Sequence, residues 1–289
     1  MNGSKKTGIY LAAYTVGASS NYFFVKDGLS YSPPLIFMSL RYAIAGASLL
    51  IPLIALRRFK PFMNLDLFLL SLFTTLSTGF WSFGLLYIDP GTSAVLSYTM
   101  PLFALPLSML ILGERPGRSN IIGIIIGFLG VVIYYLSFLG SMKLIGAILT
   151  VINAFFWAMY STYFRKLGSR DPLTVVSLQM LISAAMLLIP SFIFGDRLLM
   201  RDKFIIDLLG TGLMGGSMLF LLWNLLINSM GVSRAVALVF LVPALTIAMD
   251  YLLLGMIPTP LELIGAVVMF IGIYVSQRPA LTNAATSSP

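Results

Sequence analysis

Apolar residues run along this chain in long unbroken stretches of about twenty. Each is enough to cross a hydrocarbon core of roughly 30 Å at a rise of about 1.5 Å per residue. The stretches lie at 7–25, 34–56, 65–88, 92–112, 119–139, 143–164, 172–194, 204–228, 232–254 and 261–277, and they predict ten membrane-spanning helices. Between them stand the expected breakers: Lys26-Asp27-Gly28 with Pro33-Pro34, Arg57-Arg58-Phe59-Lys60-Pro61, Asp89-Pro90-Gly91, Glu114-Arg115-Pro116-Gly117, Asp171-Pro172, and Pro258 to Pro260. Barrel strands are excluded, because a lipid-facing strand alternates polar and apolar positions over about ten residues and these runs do not alternate. The first stretch follows Lys5 and Lys6, yet it is as long as the others and no small-residue cleavage site follows it. It therefore reads as a helix rather than a removable signal.

The apolar pattern is also written twice. At one constant offset, without a gap, Trp81 aligns with Trp223, Pro101 with Pro243, Leu112-Gly113 with Leu254-Gly255, and Pro116 with Pro258. The same register brings Ile122-Gly123 onto Ile264-Gly265, Phe128 onto Phe270 and Gly130 onto Gly272. A slightly shorter offset extends the match backwards, with Asn21 on Tyr160, Lys26 on Arg165 and Pro33 on Pro172. Trp, Pro and Gly matches carry the weight, since each fixes a geometry that common apolar residues do not supply. The chain thus divides into a five-helix unit at 1–140, a second at 141–278, and a small polar tail at 279–289 whose composition predicts disorder. Five is odd, so the second unit starts on the opposite side of the membrane and the two are inverted. Inverted units suit alternating access, in which related bundles expose a shared mid-membrane site first to one side and then to the other.

Composition agrees with a membrane protein: of 289 residues 58% are hydrophobic and only 10% are charged, whereas soluble domains carry about a quarter charged residues. Cysteine and histidine are absent, which removes thiol nucleophiles, disulfides, imidazole bases and the usual zinc ligands. The +8 formal charge is scattered through the loops and forms no contiguous basic patch of the kind nucleic acid requires, so it serves as a topology signal. With the N-terminus inside, Lys5, Lys6, Arg57, Arg58, Lys60, Arg115, Arg118, Arg165, Lys166, Arg170, Arg234 and Arg278 are cytoplasmic. Only Lys26, Lys143, Arg197, Arg201 and Lys203 then lie outside. The bias predicts a multi-pass protein of the cell membrane with both termini in the cytoplasm.

Several stretches carry a family likeness. Ser20-Asn21-Tyr22-Phe23-Phe24-Val25-Lys26 in helix 1, Pro34 to Arg41-Tyr42 opening helix 2, and Thr92-Ser93-Ala94-Val95-Leu96 running to Pro101 are followed by Leu112-Gly113-Glu114-Arg115. The second half adds Trp157-Ala158-Met159-Tyr160 before Arg165-Lys166, and Glu262-Leu263-Ile264-Gly265. Together these resemble the EamA-type branch of the drug/metabolite transporter superfamily over nearly the whole chain. The resemblance implies a ten-helix carrier of small metabolites in which helices 1 to 4 and 6 to 9 surround a central cavity while 5 and 10 stand at the edge. Some members export amino acids and related compounds. The chain departs from the family pattern where Gly-Glu often ends helix 9, having Gly255-Met256, and where Trp-Gly is common in helix 1, having Ala18-Ser19.

Charges within spans are costly and mark candidate sites. Arg41 and Asp250 fall at similar depth below the outer end, where they would pair, or act separately as a carboxylate contact and a protonatable coupling group. Snorkelling or a structural hydrogen bond is the competing role for each. Asn21, Tyr22, Trp81, Tyr98, Asn153, Trp157, Tyr160, Trp223 and Asn224 are the other candidates for a binding cavity. Asn153, Trp157 and Tyr160 share one helical face by spacing. Interfacial belts and interhelical bonds are the alternatives for these residues. Pro101 and Pro243, in mid-span, are candidate hinges that free backbone carbonyls. Glu114 beside Arg115 and Arg118 reads as a local ion pair, and Gly123, Gly127, Gly130, Gly265 and Gly272 as close helix packing, within one chain or between two.

These features predict a secondary carrier for a small organic solute, embedded in a lipid bilayer. No phosphate-binding loop for ATP appears, and no cofactor, metal or catalytic residue is called for. A partly apolar amino acid or a related compound, exported from the cell, fits the aromatic and amide residues. Drugs, nucleosides or amines are the alternative cargo. An intramembrane enzyme is the competing class, disfavoured by the missing His and Cys. Oligomeric state is left open by the sequence.

Overall fold

The computed structural model describes residues 3–113, 117–167, 170–194, 199, 201–230 and 241–276. Ten helical segments follow one another among them. These are α1 (Gly3–Gly28), α2 (Pro34–Ala55), α3 (Leu65–Tyr87), α4 (Pro90–Leu112), α5 (Arg118–Leu136), α6 (Lys143–Leu167) and α7 (Pro172–Phe194). After them α8 is built in three pieces, Asp202–Gly210, a π-helical Thr211–Met218 and Leu219–Met230, and α9 (Leu241–Leu254) and α10 (Pro260–Ser276) complete the bundle. Seven of these, α2 to α8, are long and apolar enough to cross a membrane, and α9 and α10 are apolar but shorter in their described parts. The chain is a multi-pass membrane protein. α1 was expected to span as well, and it has the length, but its composition is more polar because Thr15, Ser19 and Asn21 turn into the bundle. Glu114, Arg115, Arg197, Arg234, Arg278 and the 279–289 tail lie outside the described residues.

The ends of the helices follow local chemistry. Pro34, Pro90 and Pro172 each open a helix, where the missing N–H costs nothing. Asn64 and Asp89 cap α3 and α4, accepting from Leu67 N and Thr92 N, both at 2.9 Å. Gly113 closes α4 at φ 70° and Gly255 closes α9 at φ 66°, a left-handed stop that a side chain would resist. The repeat aligns these two glycines with each other.

Contacts between side chains give the directions of the helices. Ser39 Oγ donates to Ala184 O at 2.8 Å while Gly46, a turn and more further on, meets Ser177 and Leu181. α2 and α7 are therefore antiparallel. By the same test α3 opposes α6, with Tyr163 Oη on Asp66 at 2.6 Å near one end, Ser77 Oγ on Asn153 Oδ1 at 2.7 Å in the middle, and Gly84 against Gly146 near the other. α1 opposes α8 through Gly17 with Leu219, Asn21 with Gly215, and the Lys203–Asp27 ion pair of 2.7 Å.

α5 and α10 form the closest pair. A Cβ on Gly123 would stand 2.5 Å from Gly272 O, and one on Gly130 would stand 2.8 Å from Gly265 O. The glycine packing that the sequence left undecided is thus satisfied within one chain, and the two contacts exchange when the aligned glycines are exchanged. One end of the bundle gathers Asp66, Lys166 at 3.9 Å from it, and Arg170 over the Phe62 ring at 4.1 Å. The Arg57–Lys60 and Arg165–Arg170 connections therefore share that end. At the opposite end Lys26 Nζ donates to the last carbonyls of α3, at Leu85, Leu86 and Ile88, and Lys143 lies 3.8 Å from Asp89.

Candidate functional site

Halfway along the helices, where α1, α2, α3, α4, α6 and α8 converge, the bundle holds a cavity of about 120 Å³. Its walls follow from helical spacing. α1 contributes Tyr14, Ala18, Asn21 and Tyr22, which recur at i, i+4, i+7 and i+8 on one face. α3 supplies Ser77, Thr78 and Trp81, and α6 supplies Asn153 and Trp157. α8 adds Gly215, Leu219, Phe220 and Trp223, with Arg41 and Tyr42 from α2. Ser97, Tyr98, Met100 and Pro101 of α4 complete the lining.

α4 is broken at that point. Its regular turns stop at Ser97 and resume at Met100, because Pro101 offers no N–H to the preceding turn. Thr99 Oγ1 donates to the Leu96 carbonyl at 2.7 Å and covers part of the gap. Pro243 is buried within the first residues of the described part of α9 and does not line the cavity.

Aromatic rings form much of the wall. Trp81 meets Tyr22 edge-on at 5.2 Å, and Trp223 stacks on Tyr14 at 5.6 Å. Each tryptophan Nε1 donates to a serine hydroxyl at 3.2 Å, Ser93 for Trp81 and Ser161 for Trp223, so both rings are held by a polar tether as well as by packing. Trp157 stacks on Tyr160 and touches Phe220, both at 5.0 Å. Tyr42 and Thr78 share a hydrogen bond across α2 and α3.

Arg41 is the charge in this wall. It is only 3% exposed. Nε donates to Thr211 O at 3.2 Å, Nη2 to Asn21 Oδ1 at 3.4 Å, and Nη1 to Met38 Sδ at 3.5 Å. Its guanidinium carbon lies 5.5 Å from the ring centroids of both Tyr42 and Trp81. The π-helical stretch of α8 makes this arrangement fit. Such widening is common at functional sites. Gly215 in that stretch leaves no room for a Cβ, which would stand 2.1 Å from Asn21 Oδ1 and 2.6 Å from Arg41 Nη2. Among the described residues no carboxylate lies within ion-pair distance of Arg41.

The expected pairing of Arg41 with Asp250 is therefore not formed. Asp250 is 4% exposed and serves another contact, its Oδ2 accepting the Gly91 N–H at the start of α4. Its Oδ1 has no partner among the described residues, and Asp89 and Lys26 lie close enough to act on its charge. Similar depth was the reason for expecting the pair, but depth does not fix the direction a side chain takes around a helix.

Asn21, Tyr22, Arg41, Trp81, Tyr98, Asn153, Trp157 and Trp223 all reach the cavity, as does Pro101. Tyr160 and Asn224 stand one layer behind: Tyr160 Oη donates to Asn224 Oδ1 at 3.0 Å and accepts from Gln179 Nε2 at 3.4 Å. Sequence reasoning missed Tyr14, Tyr42, Ser77, Thr78, Ser97 and Phe220. A usable signal existed for some of them, since Ser77 precedes Trp81, and Phe220 precedes Trp223, by one helical turn. Tyr160→Phe is expected to lower stability by about 1–3 kcal/mol, because it leaves buried amides short of a partner. Exchange per folded molecule should stay within twofold of the parent. Thermal unfolding beside exchange rates checks this, and a loss of rate without a loss of stability would put Tyr160 in the transport path.

A crystal structure superposes with a TM-score of 0.68 at 17% identity, over 94% of this chain and 96% of the other, which establishes the fold. An "Uncharacterized transporter in sor 3'region" of Acidianus ambivalens is 44% identical, covering 86% of this chain and 96% of its own. A "Probable amino-acid metabolite efflux pump" of Salmonella typhimurium is 27% identical, over 94% of this chain and 95% of that one. The model of the EamA-like transporter family matches residues 6–136 and 144–277. The chain belongs to the EamA-like transporter family, and it is a membrane transporter rather than an enzyme.

Proposed function

We propose that this protein is a secondary carrier whose halves, 1–140 and 141–278, are inverted and open the central cavity alternately to the two sides of the membrane. Antiparallel packing of α2 on α7 and of α5 on α10, each between elements that the repeat equates, supports the inversion. The matching left-handed stops at Gly113 and Gly255 support the duplication. Its cargo is a small carboxylate of amino-acid size, an amino acid or a close relative, moved outward. The observation that carries this reading is Arg41, a buried guanidinium facing an aromatic cavity with no carboxylate partner among the described residues. A planar fork of N–H donors matches the two oxygens of a carboxylate, which accept from it side by side. Pro101 and Pro243 act as hinges of the two equated helices, and both termini are cytoplasmic. The name of the Salmonella relative agrees with cargo and direction.

Counterflow into proteoliposomes with a panel of aliphatic and aromatic amino acids and their deaminated relatives, each corrected for uptake into protein-free liposomes, tests the assignment. Exchange of at least one of them, blocked in Arg41→Gln, is expected. A well-folded protein that exchanges none of them contradicts it.

Asp250 is the proposed coupling group, since a buried carboxyl with one free oxygen can take up a proton at small structural cost. Asp250→Asn keeps an oxygen for Gly91 N–H but cannot carry that proton. Counterflow is expected to persist in the variant while accumulation driven by a proton gradient falls at least tenfold. Undiminished gradient-driven accumulation would remove Asp250 from that role.

A further inference from the structure

Within the cargo class just proposed, the charge balance of the cavity discriminates further, and this step rests on that reading. Arg41 is the only charged residue among the described cavity-lining residues, which include no Asp or Glu. Each amide oxygen in the lining already accepts one bond, Asn21 Oδ1 from Arg41 Nη2 and Asn153 Oδ1 from Ser77 Oγ, so what is left there for an ammonium is a second lone pair on a neutral group rather than a carboxylate. Tyr42 and Thr78 are bonded to each other. Asp250, the carboxylate that could neutralise an amine, stays outside the lining and is held by Gly91 N.

Arg41 itself is under-used. A guanidinium has five N–H groups, and the bonds of Arg41 to Thr211, Met38 and Asn21 occupy one on each nitrogen. One N–H on Nη1 and one on Nη2 are left, and a single carboxylate can accept from both nitrogens. A zwitterion placed there would satisfy the fork but would bring a second cation into a site of low dielectric beside the first. A monoanion would neutralise the site outright. The volume of about 120 Å³ suits a carboxylate on a short apolar body, since an engineered apolar cavity of roughly 150 Å³ takes up benzene.

We infer that the preferred cargo is a small monocarboxylate that lacks a cationic amine, the kind of molecule that deamination of an aliphatic amino acid leaves behind, and that intact amino acids bind more weakly. The reaction class that supplies such a substrate is removal of the amino group by transfer or by oxidation, which leaves a 2-oxo acid.

Three molecules that share one branched side chain test this: 4-methyl-2-oxopentanoate, leucine, and 3-methylbutan-1-amine, titrated calorimetrically into the purified full-length protein near neutral pH. Binding is measured in place of flux because the protonated acid crosses lipid unaided. The carboxylate is expected to bind at least tenfold more tightly than leucine, and the amine not at all. Arg41→Gln should abolish that preference, while Arg41→Lys, which keeps the charge, should retain a preference for the carboxylate over leucine. If Arg41→Gln does not fold, Arg41→Lys carries the test, and loss of the order in a folded Arg41→Lys overturns the role of charge. Leucine binding as tightly as the carboxylate or more tightly overturns the inference while leaving the transport assignment intact. Failure of all three to bind the folded parent overturns the inference and the cargo class together.

Discussion

Arg41→Gln is expected to lose carboxylate exchange almost entirely while the protein stays folded, with an unfolding temperature equal to or above that of the parent. The two halves of this result have different causes. Removing one partner of a desolvated charge pair costs about 2–5 kcal/mol, which corresponds to roughly a thirty-fold to several-thousand-fold loss of affinity. The empty protein, by contrast, holds Arg41 at 3% exposure with no carboxylate partner among the described residues, and an uncompensated buried cation works against the fold. Its neutral replacement gives up bonds to Thr211 O and Asn21 Oδ1 but relieves that charge. A structural arginine would show the reverse, low folded yield with normal exchange per folded molecule. Exchange rates and thermal unfolding of the same preparation distinguish the two.

The second large effect concerns α5 and α10. Gly272→Ala is expected to reduce folded yield several-fold, because the new Cβ would lie 2.1 Å from Gly127 N and 2.5 Å from Gly127 Cα. Those are backbone atoms, which have no rotamer through which to give way, so the helices must separate. Overpacking of this kind costs typically about 1–3 kcal/mol and occasionally more. Gly8→Ala, where nothing lies within 4 Å of the added carbon, serves as the control and should match the parent in size-exclusion profile and unfolding temperature. Gly272→Ala with an unchanged profile would mean that the two helices are not packed glycine to backbone.

The sequence made the helices legible because each apolar run is stopped by chemistry that cannot continue it. Pro34 and Pro172 open α2 and α7 where the punctuation put them, and Pro101 forecast the break that the structure has at Tyr98 and Thr99. The π-helical stretch at Thr211–Met218 was not legible. Its signature is a shift in backbone bonding, seen in the Leu219 N–H reaching Met214 O five residues back, and apolar periodicity does not record it. In the cavity, rare residues announced themselves: tryptophan and asparagine are out of place against lipid, and Trp81, Trp157, Trp223, Asn21 and Asn153 all arrive at one wall. Tyr14, Ser77 and Ser97 did not announce themselves, since small hydroxyl residues and tyrosines have ordinary places in any bundle. The Arg41–Asp250 pairing failed for a related reason. Spacing along a helix fixes height, but a span that is apolar all round gives no sign of which side faces inward.

Access to the cavity from both faces of the membrane is the central claim, and the absence of cysteine from the chain makes it directly measurable. Ser97→Cys places a single thiol in the cavity wall beside Tyr98. In sealed vesicles of known orientation, a membrane-impermeant thiol reagent applied to either face is expected to label it, and saturating cargo is expected to slow the labelling. Reaction from one face alone, under every gradient and cargo condition, would contradict alternating access.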